Sequence, residues 1–220
     1  MIDANLSEDF LKNLKVRQIV CQAFYCSAIK HSDEHKRWVN LSHDLGSRIA
    51  EGAVLSIQCL GDLDIIVRAM EDELVEQGFA EPDVMEFPAL TLQSHLSDVW
   101  VGGAYEIFRL AKSRLQEDAE AVQLHDALRL LRIPLEKYEL PKDDKLKDVV
   151  RMAPLGGGED DVRIYDKNDK SKSHLIPRSL SNLGSAMWLA IDIANQSQHW
   201  LERRDLSDAI LRYGEKLRNR

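Results

Sequence analysis

The chain has 220 residues, of which 44% are hydrophobic and 30% charged, enough apolar material for one large domain or for one domain with a smaller appendage. Its formal net charge of −8 disfavours sequence-independent binding to nucleic acid or to an anionic membrane, since both polyanions would repel it at long range. The opening MIDANLSEDF lacks the basic and apolar regions of a signal peptide, no run approaches 18 uncharged apolar residues, and Cys21, Cys26 and Cys59 fit no disulfide or metal framework; a cytoplasmic protein without membrane contact is expected.

Ser7, followed by Glu8 and Asp9, has the chemistry of a helix start: a hydroxyl cap and two acids beside the positive end of the dipole. Phe10, Leu14, Val20, Ala23, Phe24 and Ala28 then supply an apolar stripe to about Lys30. The polar, histidine-rich segment from His31 to Asp44 either continues this helix or breaks it. A second long helix is predicted from Ser47 to Gln77, with Ile49, Ala53, Ile57, Leu60, Val67, Met70 and Leu74 inward and Gly78 as its left-handed stop. Pro82 and Pro88 bracket a connector that Phe79, Val84, Met85 and Phe87 pin to the core.

The stretch Thr91–Leu131 forms the centre. Leu92, Leu96, Val99, Ala104, Ile107 and Leu110, widened by Trp100, Phe108 and Ala111, keep the three-and-four spacing of a buried helical face. Gln93, Glu106, Arg109 and Lys112 fall opposite, in water. Gly102 and Gly103 each cost about 1 kcal/mol against alanine in a helix interior, which a close neighbouring helix would explain. Pro134 closes a following helix, Ala119–Leu131, because proline lacks the amide donor and clashes with the preceding turn.

Residues 141–160 then read as a charged linker ending in the loop APLGGGEDD. Val162–Asp166 and Leu175–Leu180 flank the run KNDKSKS as a hairpin. The segment 185–203 is ambiguous between strand and helix; the poor helix interior NQSQ favours two strands, Ser185–Ile193 and Gln198–Arg203. Trp188 and Trp200 then lie on adjacent strands, as a cross-strand packing contact or an exposed docking face, with packing favoured. Asp205 and Asp208 cap a last helix, Leu206–Leu217. The predicted fold is α+β and predominantly α: a bundle of about four long helices in residues 1–140, a linker at 141–160, and a small antiparallel β region with a C-terminal helix packed on the bundle in 161–220.

The sharpest polar cluster is HSDEHKRWVNLSHD. His31 and His35 are four apart, share a helical face and could hold one metal, with Asp33, Glu34, His43 or Asp44 as further ligands; a solvated, charged helix end is the competing reading. Asp64 can pair with Arg68 at i+4, a structural role. Gly156, Gly157 and Gly158 are followed by three acids that would repel a phosphate, so a linker is expected there.

Within the histidine cluster, Arg37 and His43 match an R-x4–6-H spacing. Here the chain resembles the HEPN superfamily, helical bundles of prokaryotic defence and toxin–antitoxin systems, over roughly residues 1–140. The resemblance implies a metal-independent ribonuclease in which that Arg and His act across a dimer interface. A second echo places Arg132 and Tyr138 in the same relation. Tyrosine, with a reference pKa near 10, is a poor general base at neutral pH, so this version implies lost chemistry.

With no complete catalytic constellation, the leading expectation is a non-enzymatic helical protein that self-associates or binds another protein and uses no cofactor. The rival is the HEPN-like ribonuclease; a metal-dependent hydrolase on His31 and His35 comes third.

Overall fold

The computed structural model describes residues 15–78, 87–152 and 163–220. The cap at Ser7, the connector residues 79–86 and the glycine loop lie outside them. Among the described residues five helices come first: α1 Val16–Lys30, α2 Ser32–Ile49, α3 Ala53–Glu76, α4 Phe87–Arg114 and α5 Ala119–Lys137. Two small antiparallel sheets follow, β1 Val150–Met152 with β2 Arg163–Tyr165, and β3 Arg178–Leu180, β4 Ala186–Asp192 and β5 Ser197–Glu202 in that order. The closing helix α6 spans Arg203–Arg218. The fold is the mostly helical α+β arrangement expected. No helix among the described residues is long and apolar enough to cross a membrane.

The histidine-rich segment is helical and separate from α1, with the break at His31. The boundary expected at Ser47 moves to Ala50–Gly52. Ala50 is extended and Gly52 has φ +84°, a left-handed conformation that glycine adopts without the Cβ penalty. Residues 47–49 therefore complete α2, and α2 and α3 form a tight helical hairpin. Gly78, with φ +80°, ends the next helix as expected. Phe87 is exposed rather than pinned, and Pro88 sits in the first turn of α4, where its missing donor costs nothing.

The buried face of α4 is rotated from the expected one. Gln93, Ser97, Trp100, Val101, Ala104, Ile107, Phe108 and Ala111 are buried, whereas Leu92 and Val99 are exposed. Gln93 goes inside because its Nε2 donates to the Gly184 carbonyl at 2.7 Å, so the polar group is satisfied without water. Gly102 and Gly103 do admit close neighbours: a Cβ would lie 3.1 Å from Glu136 Oε1 on α5 and 3.1 Å from Leu60 Cδ1 on α3, respectively.

Pro134 does not stop α5, which starts with Asp118 accepting from the amides of Glu120 and Ala121 and runs through the proline to Lys137. Leu131 and Pro134 are buried and Leu135 packs on the core; this burial offsets the bond that proline removes. The helix ends at Tyr138, at φ +56°.

Only the last three residues of the expected strand Leu175–Leu180 are strand, and they pair with β4, while β2 pairs with β1. KNDKSKS is thus a crossover between sheets and not a hairpin. Asp166 and Asp169 bend it, their carboxylates accepting from the amides of Asn168 and Ser171. β1 falls inside the expected linker. Strands β4 and β5 form where the strand reading put them. Their register opposes Trp188 to Leu201 and Trp200 to Leu189, so the two tryptophans occupy opposite faces. Trp188 is buried and Trp200 half-exposed.

The last helix begins at Arg203, earlier than expected, with Glu202 as an N-cap that makes no side-chain cap bond. Asp205 is in the first turn instead, still beside the positive dipole. The early start follows from Arg203, whose side chain is drawn into the core as described below. One hydrophobic core runs through these elements: Trp38 of α2, Ile57 of α3, Trp100 and Phe108 of α4, Leu128 of α5, Trp188 of β4 and Tyr213 of α6 all belong to it.

Candidate functional site

The most concentrated group of charges lies inside the molecule. Asp64 of α3 accepts Trp38 Nε1 at 2.8 Å and Arg68 Nε at 2.8 Å, and takes an ion pair from Arg203. Glu71, two turns on, accepts Arg203 through Nε at 2.8 Å and Nη2 at 2.7 Å, and Arg204 Nε at 2.8 Å. Arg68 reaches Ser207 Oγ at 2.8 Å and Asp208 at 2.5 Å on α6, and Arg204 reaches Asp72 at 2.7 Å. Asp64, Glu71 and Arg203 have no exposed side-chain surface. Burial pushes the Asp64 carboxyl up, but Arg203 and Arg68 outweigh it and hold the group below the usual carboxylate range. With every charge answered by another, this network clamps α6 to α3. The Asp64–Arg68 pair was legible from its i,i+4 spacing; Arg203 comes from 139 residues away and left no local signal.

His31 and His35 are not brought together on one ligand. The Nε2 of His31 lies 3.2 Å from Asp72 and that of His35 lies 3.4 Å from Asp62. Those carboxylates are ten residues apart on α3, about 15 Å along the axis. Burial pushes the His31 imidazole below its ordinary value, against the pull of Asp72. Among the described residues, no group of three His, Cys, Asp or Glu side chains has metal-holding geometry.

Arg37 forms an ion pair with Glu215 of α6 at 2.7 Å, while His43 is exposed. Six positions on one helix separate them by about 120° around the axis, so within one chain they do not share a cleft. Arg132 is bound to Glu136 at 2.8 Å and lies over the Tyr105 ring, 5.1 Å from its centroid. Tyr138 is half-exposed on the left-handed turn that follows. Two turns before Arg132 on α5, His125 lies tilted against the same Tyr105 ring at 5.3 Å, with Nδ1 at 2.8 Å from Asp126 and 3.1 Å from Lys112 Nζ. Burial lowers the His125 pKa. The charges along this seam are paired with one another.

A groove of about 230 Å³ opens between α4 and the edge of the larger sheet, floored by Leu90, Leu180, Ala186, Met187 and Trp188. Arg178 stands at its rim, its Nη1 at 3.0 Å from Ser94 Oγ and 2.8 Å from Asp98; burial raises the Asp98 carboxyl. β3 is an edge strand, and no other described strand pairs with its outer side. The bonds Leu189 N to Pro177 O at 3.0 Å and Ser181 N to Ser185 O at 2.9 Å set the antiparallel alternation. Under it, Arg178 and Leu180 turn their main-chain groups away from β4. Sequence reasoning missed this site because its two walls are more than 80 residues apart.

The described residues thus define a mostly helical α+β protein with a buried ionic clamp and an apolar groove beside a strand edge. No family model, no curated protein and no solved structure matches the chain.

Proposed function

We propose that this chain is a non-enzymatic binding protein that accepts an extended segment of another polypeptide along β3. The observation that supports it is the outward strand edge at Arg178–Leu180 running beside the apolar groove. An added strand finds main-chain donors and acceptors on that edge, and alternate side chains of such a strand point to one face. One apolar side chain in two would enter the groove over Leu90 and Leu180. Arg178, whose bonds to Ser94 and Asp98 both run through Nη1, supplies cationic character to the rim and favours an acidic flanking residue in the ligand.

Selection from a random peptide display library tests this, with enrichment expected for alternating apolar sequences that carry an acid. Leu180→Pro removes one outward amide while leaving the bonds of Ser179 toward β4 in place. It should weaken the selected peptide about three- to tenfold, the range of one net hydrogen bond. Leu90→Trp, which fills the groove from α4, should abolish binding. Selected peptides that bind both variants as well as wild type would refute the reading. An RNA-cleavage assay of wild type beside Arg37→Ala and His43→Ala addresses the HEPN-like alternative. Loss of one positioned acid–base group costs about 10²–10⁴ in rate, and no specific cleavage by wild type is expected.

A further inference from the structure

Helix α1 changes character along its length. At 100° per residue, Val16, Ile19, Val20, Ala23, Phe24 and Ser27 fall on one arc about 140° wide. In the C-terminal half that arc packs on the bundle: Ser27 is buried and Phe24 half-buried. In the N-terminal half it is open, with Val16 75%, Ile19 44% and Val20 56% exposed. A helix of 15 residues is near the limit of what stands alone in water, so a bare apolar stripe on its overhanging half calls for cover.

The charges indicate what provides it. α1 contains Arg17 and Lys30 but no acid, and Lys15 precedes it, in a chain of net charge −8. Lys30 is paired with Glu76 at 3.1 Å; among the described residues, Lys15 and Arg17 have no carboxylate partner. Where the stripe passes from open to buried, Phe24 borders a cleft of about 270 Å³ lined also by His35, Gln58 and Asp62. The Asp62 carboxylate is partly exposed there. A cleft with one carboxylate, which lies 3.4 Å from His35 Nε2, therefore begins one stripe-length from a cationic end that has no carboxylate partner among the described residues.

We infer that α1 pairs with α1 of a second copy, antiparallel about a two-fold axis between Ile19 and Val20. That axis sets Ile19 against Val20 and Val16 against Ala23, in both directions, as an isologous contact requires. It also carries Arg17, which lies on the same flank of the stripe as Phe24, to within about half a turn of the partner's Phe24, beside the cleft that holds Asp62. One face thus meets itself, with its own cation answered by its own anion. The contact lies on α1, α2 and α3 and is independent of the groove at β3.

Sedimentation velocity of the full chain up to about 0.1 mM tests it, with folding followed by circular dichroism. Wild type should shift with concentration toward twice the 25.1 kDa of one chain, and Val20→Asp should remain monomeric. Arg17→Glu should weaken association at least tenfold, and adding Asp62→Lys to it should restore it. The restoration is the decisive arm, since a variant that merely unfolds α1 cannot be rescued from α3. A monomeric wild type at 0.1 mM, a dimer indifferent to Val20→Asp, or a charge swap that fails to restore association would each overturn the inference.

Discussion

Arg203 has no water to fall back on. Its guanidinium is held by Glu71 through two nitrogens and by Asp64 through a third, and its plane lies over Trp100, 5.5 Å from the ring centroid. Planar, forked donors make this geometry; an ammonium cannot reproduce it. Arg203→Met fills the volume but leaves two carboxylates buried with fewer cations. Breaking a buried pair in this way costs about 3–5 kcal/mol, and urea denaturation should show that loss. Arg203→Lys should recover little of it. A fall below about 1 kcal/mol for Arg203→Met would mean that water or a rearranged Arg68 reaches the site. The i,i+4 half of this network was readable from Asp64 and Arg68, because helical spacing alone makes them neighbours. The other half depends on where α6 docks.

Among the elements, the α2–α3 hairpin is the most constrained. At Gly61 a Cβ would sit 2.5 Å from Trp38 Cβ and 2.6 Å from its Cγ, the stiff base of a side chain that is also tied to Asp64. Neither helix can give way without moving the indole off its carboxylate. Gly61→Ala should therefore destabilise by about 1–3 kcal/mol through overpacking, although alanine is the better helix former by about 1 kcal/mol. A thermal melt decides the sign; a raised Tm would show that Trp38 can retreat. Nothing in the sequence marked Gly61 as a contact, since it lies in a helix without a periodic signal of its own. Gly102 and Gly103 stood out because they interrupt an apolar helical run, each at a cost of about 1 kcal/mol. Most of α3, whose burial follows its period, was legible, whereas β4 and β5 were ambiguous in period and only the poor helix interior NQSQ favoured strands. The face of α4 was not legible, because Gln93 outcompetes Leu92 for the interior once the Gly184 carbonyl is there to accept it.

At the scale of the whole molecule, several titratable groups favour one protonation state in the fold. Burial pushes His174 down to about 4 and lowers His31 and His125 as well. A histidine whose folded pKa lies below its unfolded value near 6.5 contributes stability that is complete above 6.5 and is lost as pH falls toward the folded value. For His174 the full loss is on the order of 3 kcal/mol. Below about pH 4 the depressed carboxylates Asp64, Asp118, Asp126 and Asp143 continue the decline. Asp98 and Glu202, raised by burial, act in the opposite sense and soften it. The urea midpoint should thus fall between pH 6.5 and 4, and His174→Gln should flatten that fall. A His174→Gln profile parallel to wild type would remove His174 as a contributor.

The boundary between sequence and tertiary structure in this protein follows the range of the interactions. Local rules determined the helical majority, the two strands β4 and β5 and the stop at Gly78, because hydrophobic period, turn chemistry and glycine's left-handed freedom act within a few residues. They also produced the six polar candidates, His31, His35, Arg37, His43, Arg132 and Tyr138, since spacing along one chain is all a motif records. Partners were decided in three dimensions. Packing sent His31 to Asp72, His35 to Asp62, Arg37 to Glu215 and Arg132 to Tyr105 and Glu136. It carried α5 through Pro134, because burying Leu131 and Pro134 outweighs one lost hydrogen bond. It also placed Arg203 between Asp64 and Glu71, and set β3 beside α4 to open the groove. Each of these joins residues that the chain keeps far apart, or overrides a local preference with a burial that exists only once the helices have met.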